Sequence, residues 1–379
     1  MTTRLRVVVD QLTAPVPGAI GRYTMDLTQA LIESAPANCE VAGIVSSSPP
    51  TDYEYIERAL PGLADLYRTS LARRELAAAW QMGLTTSPGG GIIHSPSLFA
   101  PLRKHDREAG NQVVVTVHDT LAFTHPESLS TAESTWRRTM VKRAWKHADA
   151  VVVPTHALAA RLADHYDFGD RIRVISTAAR GGFRIPPDAA ERAAALGLPR
   201  DYLVTIGSLE PHRGVADVLA ALGRPGMPEL PLIVLGPSEW DEQQLATVAE
   251  ESGMRSGLVR SSDDLSDTDL AVVVGGAAAF IAPSHEEGDP ARIIEAFELG
   301  TPVIHSDAPE YVETSAGAAL AIPVGVASDG YVNRLAAAIS TVATDDALSD
   351  RLSIAGQDRA RAFSWRDSAE RVWQLHADL

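Results

Sequence analysis

The sequence predicts an α/β protein made of two similar domains, each with a parallel sheet covered by helices. The chain has 379 residues, which is too long for one ordinary domain. Short β-branched runs alternate with longer Ala- and Leu-rich segments of helical period, and the alternation starts afresh in the second half. Strands, loops and helices in this succession require right-handed crossovers, which give parallel sheets with both faces covered.

The first half contains six predicted strands, each a short apolar run that ends in loop residues. They are Leu5–Val9, Val41–Val45, Gly91–His94, Val113–Val117, Ala150–Val153 and Arg173–Ile175. Helical periodicity is clearest at Arg22–Ser34 and Ala157–His165. The residues from Gly181 to Pro187 are rich in helix and strand breakers and predict a hinge between the halves.

The second half repeats the same pattern. Its predicted strands are Tyr202–Ile206, Leu232–Leu235, Leu258–Val259, Ala278–Ala282, Pro302–His305 and Leu320–Ile322. Its predicted helices are Gly214–Leu222, Asp241–Ser252, Ala291–Leu299 and Asn333–Thr344. Two such domains are expected to face one another across a cleft lined by the carboxyl ends of both sheets.

The net charge of −16 is distributed unevenly. Residues 1–180 carry 19 Lys and Arg against 18 Asp and Glu, whereas the remainder carries 14 against 31. Because affinity for a phosphate backbone needs a basic face, this balance excludes a nucleic-acid partner. It leaves room for a local anion pocket.

The cysteine count and the hydropathy predict a cytoplasmic protein. Cys39 is the only cysteine, so no intramolecular disulfide forms. The apolar run Val7–Val9 is far shorter than a signal-peptide core, and the uncharged stretch Leu270–Pro283 is too short to span a bilayer.

Polar and small residues follow several of the predicted strands. Because open α/β sheets bind ligands at the carboxyl ends of their strands, these positions are the candidate binding residues. They are Gly21, Arg22, Tyr23, His94, His118 and Asp119 in the first half, and His212, Arg213, Glu287, Gly288 and Asp289 in the second. A histidine at a strand end has a structural role as its alternative.

Several common catalytic motifs are absent from the sequence. The loop from Gly18 to Gly21 lacks the glycine spacing of dinucleotide-binding and nucleotide-triphosphate-binding loops. Formation of a tight turn is the alternative role of these glycines. No Gly-x-Ser-x-Gly and no His-Glu-x-x-His occurs. The adjacent residues His285, Glu286 and Glu287 are a poor coordination set by themselves. The sequence therefore predicts neither a metal nor a cofactor.

Glu287 and Glu295 form the sharpest acidic pair. Asp289-Pro290 between them predicts an N-cap and a first-turn proline, with Glu287 in the preceding loop and Glu295 in the second turn. The N–H groups and dipole of this helix start suit a phosphate. Glu295 has only apolar neighbours in the sequence, so its charge is costly unless a polar group binds it. A surface helix position is the alternative.

At this point the sequence resembles the retaining GT-B glycosyltransferases of glycosyltransferase family four, over nearly the whole chain. The first segment is similar to that family's Gly-Gly-Ile-Gly-Arg-Tyr loop, and a later block has its two glutamates separated by seven residues. The matching segments are Gly18–Thr24, Val115–Thr120, Ala148–Thr155, Arg173–Ser176, Gly207–Gly214, Pro283–Asp307 and Phe363–Trp365.

The resemblance implies GT-B architecture with two Rossmann-like domains. These are an acceptor-side domain at 1–182 and a donor-side domain at 183–362, with a C-terminal helix at 363–379 that crosses back to the first domain. It implies retaining, metal-independent transfer of a hexosyl group from a nucleotide diphosphate sugar to a hydroxyl acceptor, with GDP-mannose the favoured donor. A lipid-linked or polysaccharide precursor is the expected acceptor.

The resemblance also implies a role for each candidate residue. Glu287 and His118 are catalytic, with Glu287 at the hydroxyls of the donor sugar and His118 beside that sugar. The donor-binding residues are Gly21, His212, Arg213, Gly288, Asp289, Arg292 and Glu295, with Glu295 at the ribose. The acceptor-side residues are Arg22, Tyr23, His94 and Asp119. Guanidinium and helix N–H groups stabilise a leaving diphosphate without a metal.

Two departures from the family pattern are visible. His212 stands where the family has Arg, and its charge at neutral pH is not guaranteed. In the loop after Glu287, Pro290 removes a backbone donor and Asp289 adds a carboxylate, while Arg292 offers a compensating cation. The alternatives are therefore a catalytically weak binding subunit of a partner glycosyltransferase, or a two-domain isomerase or phosphorylase.

The segment 136–147 places five cations beside apolar residues at helical spacing. It predicts peripheral contact with the inner face of a membrane if the acceptor is lipid-linked. A solvated helix whose apolar stripe faces the core is the alternative.

Overall fold

The computed structural model describes residues 2–84, 91–106, 108–236, 242–262, 265–325 and 328–379. The chain divides into two compact units: unit 1 is Met1–Thr177 with Ser364–Leu379, and unit 2 is Ala178–Phe363. The first segment of unit 1 thus ends at Thr177, whereas the sequence predicted a domain boundary after residue 182. Each unit contains one parallel sheet, which confirms the predicted fold class.

The sheet of unit 1 has seven strands in the order β3-β2-β1-β4-β5-β6-β7. All neighbours pair in parallel. The strands are β1 (Thr3–Val8), β2 (Cys39–Ser47), β3 (Leu66–Ala72), β4 (Ile92–Ser95), β5 (Gln112–Thr116), β6 (Ala150–Val153) and β7 (Ile172–Val174). The sequence missed β3, because this edge strand buries only one of its seven residues and lacks an apolar run.

The helices of unit 1 cover both faces of this sheet. They are α1 (Gly18–Glu33), α2 (Pro50–Ala59), α3 (Arg73–Met82), α4 (Leu121–Thr124), α5 (Thr131–His147) and α6 (His156–His165). Residues such as Leu27 on α1 and Met140 on α5 pack into two separate apolar clusters. All four residues of β6 are buried, as expected for a strand covered on both faces.

The sheet of unit 2 has six parallel strands in the order β10-β9-β8-β11-β12-β13. They are β8 (Leu203–Ile206), β9 (Leu232–Leu235), β10 (Val259–Ser262), β11 (Ala279–Ala282), β12 (Val303–Ser306) and β13 (Leu320–Ile322). The strand order reverses between β8 and β11. This switch point is where open α/β sheets form a ligand crevice.

The described helices of unit 2 lie on both faces of the sheet. They are α7 (Ala189–Ala195), α8 (Val215–Leu222), α9 (Glu242–Glu251), α10 (Asp267–Gly275), α11 (Ala291–Glu298), α12 (Pro309–Ser315), α13 (Ser328–Thr344) and α14 (Asp346–Ala360). Asp241, the first residue of a predicted helix, lies outside the described residues. Phe297 and Val218 belong to the two apolar clusters of this unit.

The C-terminal helix α15 (Trp365–Asp378) packs on unit 1. The Ser364 side chain caps its first turn by accepting the Asp367 N–H. Val372 lies in the unit 1 core, and the Trp373 indole N–H donates to the Leu31 carbonyl oxygen at 3.1 Å. This apolar contact with α1 explains why residues so late in the chain belong to the first unit.

Candidate functional site

Glu287 lies at the switch point of unit 2, in the loop after β11. Its Oε2 accepts a hydrogen bond from the Tyr311 hydroxyl at 2.9 Å and lies 3.7 Å from Nη1 of Arg213, which follows β8. The side chain of Glu287 is 18% exposed and that of Arg213 is 30% exposed. Burial raises the pKa of Glu287, while the Arg213 charge acts in the opposite direction. The loop thus presents a carboxylate and a guanidinium together.

A close approach of two loops brings these groups together. Gly214 has φ +69°, and a Cβ there would lie 2.4 Å from the Pro283 carbonyl oxygen, so only glycine fits. The His285 N–H donates to the His212 carbonyl oxygen at 2.8 Å. His212 itself is buried in the turn Pro211–Arg213. The two residues predicted to bind the donor therefore differ in exposure: His212 is buried, whereas the side chain of Arg213 is partly exposed.

Glu295 is buried on α11 and is held by two arginines. Arg180 donates to both carboxylate oxygens, at 2.7 and 3.2 Å, and Arg292 donates to Oε2 at 2.8 Å. Burial alone raises the pKa of Glu295, but the two guanidinium groups outweigh it and hold that pKa below its ordinary value. The polar partner expected for the Glu295 charge is thus a pair of arginines, Arg180 and Arg292. The contact of Glu295 with the ribose remains a prediction.

The first residue of α11 agrees with the sequence prediction, but the N-cap lies one residue later than the predicted Asp289. Pro290 is the N-cap residue and α11 begins at Ala291, whose N–H donates to Oδ1 of Asp289 at 3.2 Å. The Gly288 N–H lies 3.0 Å from Oε1 of Glu287. Arg292 is about one-third exposed while it bonds Glu295. The Asp289 carboxylate thus occupies a backbone donor that a phosphate would otherwise use.

His118 and Tyr23 lie together in unit 1. The imidazole Nε2 of His118 lies 2.8 Å from the Pro96 carbonyl oxygen and, because a carbonyl oxygen only accepts, donates a hydrogen bond to it. The Tyr23 ring contacts His118 edge-on, with centroids 4.5 Å apart, and contacts Trp365 in turn. This packing fixes the imidazole at the end of β5.

Asp119 is held by backbone and side-chain groups. Its Oδ2 accepts a hydrogen bond from Nη1 of Arg137 at 3.0 Å, and its Oδ1 accepts the Leu121 N–H at 3.1 Å. Arg22 is half-buried on α1. Gly21 is required locally, because a Cβ there would lie 2.5 Å from Cβ of Pro17. Its predicted role at a phosphate stays a prediction.

His94 is not available to an acceptor, which corrects its predicted role. The residue is fully buried, and its Nδ1 lies 3.3 Å from Nε2 of His376 on α15. His376 Nδ1 in turn lies 3.1 Å from Oε1 of Gln112. Burial lowers the pKa of both rings, that of His376 to about 3. His94 therefore belongs to a neutral buried pair that joins α15 to the sheet.

The apolar stripe of α5 faces the core of unit 1. Met140, Val141 and Ala144 are buried. The Arg137 guanidinium bonds Asp119 and Glu133, and the Arg143 guanidinium bonds the Leu102 carbonyl oxygen. The core-facing alternative therefore accounts for the apolar residues of this helix.

Among the residues that the structure describes, no helix has both the length and the hydropathy that crossing a bilayer requires. The same residues contain no cluster of three His, Cys, Asp or Glu side chains arranged to hold a metal ion.

Sequence reasoning missed two residues of unit 2 that hold the predicted glutamates. Tyr311 carries no local motif, and only the fold brings its hydroxyl to Glu287. Arg180 is 115 positions before Glu295. The lone charge of Glu295 among apolar residues signalled that a partner exists, but not which cation it is.

The comparisons with known proteins agree with this architecture. Residues 20–179 match the family model of Glycosyltransferase Family 4, and residues 189–359 match that of Glycosyl transferases group 1. The chain is 26% identical over 318 residues to O-antigen chain mannosyltransferase B of Escherichia coli, covering 82% of this chain and 78% of that protein. It is 28% identical over 256 residues to a D-inositol 3-phosphate glycosyltransferase of Nocardioides, covering 60% and 53%.

Solved structures share the fold over the full length. Sucrose-phosphate synthase from Thermosynechococcus elongatus matches with a TM-score of 0.74 and 20% identity, covering 99% of this chain and 98% of its own. HepE of Anabaena, solved with UDP and glucose, matches with a TM-score of 0.71 and 17% identity over all of both chains. The chain therefore belongs to the GT-B glycosyltransferases of glycosyltransferase family 4.

Proposed function

We propose that this glycosyltransferase moves a hexosyl group, with mannosyl favoured, from a nucleoside diphosphate sugar to a hydroxyl acceptor with retention of anomeric configuration and without a metal. The Glu287–Arg213–Tyr311 arrangement at the switch point of unit 2 carries the proposal. The mannosyltransferase relative in Escherichia coli supports the choice of sugar. A lipid-linked or polysaccharide precursor is the acceptor that the family resemblance favours.

Arg213 is proposed to bind the diphosphate. In the transfer, the bond from sugar C1 to the diphosphate oxygen breaks with its electron pair on that oxygen. A new C1–O bond forms to the acceptor, and the hydroxyl proton leaves with the diphosphate or passes to solvent. The leaving group gains negative charge, which a partly exposed guanidinium stabilises. Arg292, Gly288 and the first turn of α11 are the other proposed donor contacts.

Glu287 is proposed to bind the hydroxyls of the donor sugar. Its carboxylate has one oxygen fixed by the Tyr311 hydroxyl, which holds the side chain in one orientation. Glu295 is proposed to bind the ribose through its carboxylate oxygens, whose orientation Arg180 and Arg292 fix by hydrogen bonds. In unit 1, His118 is proposed to contact the transferred sugar, with Arg22, Tyr23 and Asp119 on the acceptor side.

A cytoplasmic location with peripheral membrane contact is proposed for the protein. The lone Cys39 supports a reducing compartment. The membrane contact rests on exposed cations of α5, namely Arg138, Lys142 and Lys146, because the apolar face of α5 is buried. Such a contact is electrostatic and weakens with salt.

Nucleotide binding tests the proposal, and turnover of the matching nucleotide sugar separates it from the binding-subunit alternative. Thermal unfolding is measured with GDP, UDP, ADP and dTDP, and a ligand at about 100 times its Kd adds about 2.7 kcal/mol to the free energy of unfolding. We expect GDP to stabilise the protein, and Arg213→Ala to abolish the shift. Arg224→Ala, an exposed arginine of unit 2, is the matched control and retains it.

The outcomes are distinct. A nucleotide shift with donor turnover supports the transferase, and a shift without turnover of the matching nucleotide sugar favours the binding subunit. No shift with any of the four nucleotides overturns the proposal. An equal loss in Arg213→Ala and Arg224→Ala shows that the site is misplaced.

A further inference from the structure

The hydrogen-bonding capacity of the Glu295 carboxylate can be counted. Burial raises the pKa of Glu295, but the charges of Arg292 and Arg180 outweigh that effect, so the group is ionised at neutral pH. An ionised carboxylate only accepts hydrogen bonds, and its two oxygens together offer about four lone pairs. The number of protein donors that already use these lone pairs therefore decides how many a ligand can use.

Two arginines occupy three of the lone pairs. Nε of Arg180 donates to Oε1 of Glu295 at 2.7 Å, and Nη2 of Arg180 donates to Oε2 at 3.2 Å. Nη1 of Arg292 donates to Oε2 as well, at 2.8 Å. No other group of the described residues donates to this carboxylate. Both lone pairs of Oε2 are thus in use, and one lone pair is left, on Oε1.

Both arginines are held in place by further contacts or by their position. The Arg180 side chain is 5% exposed, also bonds the Asp267 carboxylate, and lies with its guanidinium carbon 4.8 Å from the centre of the Phe183 ring. Arg292 is three residues before Glu295 on α11, a spacing that places both side chains on one helix face. The Glu295 side chain is only 6% exposed, so moving either cation away leaves a buried charge poorly compensated. We therefore expect both arginines to stay when a ligand binds.

A ribose presents two adjacent hydroxyls, at C2′ and C3′, and a carboxylate with two available oxygens can accept a hydrogen bond from each. The single lone pair left on Glu295 can accept only one of them. Because the two hydroxyls are neighbours on the ring, a small tilt of the ring brings either one to the same acceptor. A pentose that has lost one hydroxyl then still makes the contact.

We propose that Glu295 accepts a hydrogen bond from one pentose hydroxyl only, and that Arg292, by occupying Oε2, is the specificity-determining residue that removes a preference for ribose over 2′-deoxyribose. The inference rests on the proposed transferase function, in which Glu295 binds the ribose of the donor. It widens the donor class to nucleoside diphosphate sugars of either pentose.

The first test is calorimetric binding of four nucleotides to the full, unmodified chain: GDP, 2′-deoxy-GDP, 3′-deoxy-GDP and 2′,3′-dideoxy-GDP. If a nucleotide with another base is the one that stabilises the protein, the same four forms of that nucleotide are used. We expect the first three Kd values to agree within about threefold. The dideoxy form is expected to bind at least about tenfold more weakly, because it loses a hydrogen bond to a charged group.

The second test uses Arg292→Met, which removes the donor to Oε2 and keeps most of the aliphatic length. The variant frees a lone pair for the second hydroxyl, so the ratio of the Kd of 2′-deoxy-GDP to that of GDP is expected to rise to about ten. The ratio is informative even where the variant binds both nucleotides more weakly. Arg224→Met, at an exposed arginine of unit 2, is the matched control and keeps the ratio of the unmodified protein.

Each contrary result has a distinct meaning. A loss of tenfold or more with either monodeoxy form in the unmodified protein shows two separate contacts and overturns the inference. Equal binding of all four forms shows that no pentose hydroxyl is bound, and overturns it as well. An unchanged ratio in Arg292→Met overturns the role of Arg292. All three results retain nucleotide binding and leave the transferase proposal standing, whereas failure of every nucleotide to bind refutes that proposal and this inference together.

Discussion

The buried ion pair between Arg180 and Glu295 gives the sharpest prediction about stability. Replacing Glu295 by Gln keeps the volume of the side chain but removes its charge. Arg180 then loses a carboxylate that accepts two of its hydrogen bonds, at 2.7 and 3.2 Å, while it keeps the partly exposed Asp267. Removing one partner of a buried pair costs about 3–5 kcal/mol, because the other charge stays buried. The remaining Asp267 contact places the expected loss near the lower end, at about 3 kcal/mol.

Hydrogen exchange read by mass spectrometry measures this loss where it occurs. Peptides that cover α11 report the opening of unit 2, and about 3 kcal/mol lowers their protection on the order of 100-fold. Glu298→Gln is the control, because Glu298 is exposed on the same helix. A surface change of that kind is expected to stay within about 0.5 kcal/mol.

The pH dependence supplies an independent measurement on the same variants. The pKa of Glu295 is below its ordinary value of 4.5 in the folded protein. The contribution of the ionised Glu295 to the free energy of unfolding is therefore fully present above about pH 4.5. It is lost as the pH falls through the lower pKa of the folded protein. Glu295→Gln removes this part of the acid sensitivity, while Glu298→Gln keeps it. A loss of protection below about threefold in Glu295→Gln, or an unchanged acid profile, refutes the reasoning.

Four further predictions concern catalysis, the loop approach and the membrane. Tyr311→Phe removes a hydrogen bond to the charged Glu287, so the acid limb of the pH–rate profile of donor hydrolysis moves to higher pH; a shift to lower pH contradicts this. Gly214→Ala costs about 2 kcal/mol more in urea unfolding than Gly226→Ala, because both glycines have positive φ but only the first has Pro283 against its Cβ position. Equal costs show that the approach tolerates a side chain. The first sugar anomer released from an α-linked donor is α by proton NMR, and an initial β product excludes retention. Binding of the protein to anionic vesicles in flotation disappears at high salt, and salt-resistant binding shows an apolar contact that the buried face of α5 does not provide.

Local patterns were sufficient for the parts of the fold that are locally determined. The buried strands β6 and β9 are uninterrupted apolar runs, and the glycine at position 207 follows β8 directly. Both features follow from the chain in their own neighbourhood, so the sequence predicted the parallel sheets and the loops after β8 and β11.

Features that depend on distant contacts escaped prediction for a physical reason. The strand β3 is exposed at the sheet edge, so hydrophobic burial leaves no pattern in its residues. His94 looked like a binding residue because it ends a strand, but His376, 282 positions later, covers it. Arg180 and Tyr311 likewise reach their glutamates only after the chain folds, and no spacing in the sequence specifies such pairs.

Donor hydrolysis tests the central assignment of Glu287 most directly. The rate of nucleotide release is measured with the sugar form of whichever nucleotide stabilises the protein, for the unmodified protein, Glu287→Gln and the control Glu298→Gln. The account predicts a loss of about 100-fold in Glu287→Gln at unchanged fold, with Glu298→Gln unaffected, because Glu287, and not Glu298, is proposed to bind the transferred sugar. Equal rates in all three proteins would contradict the account.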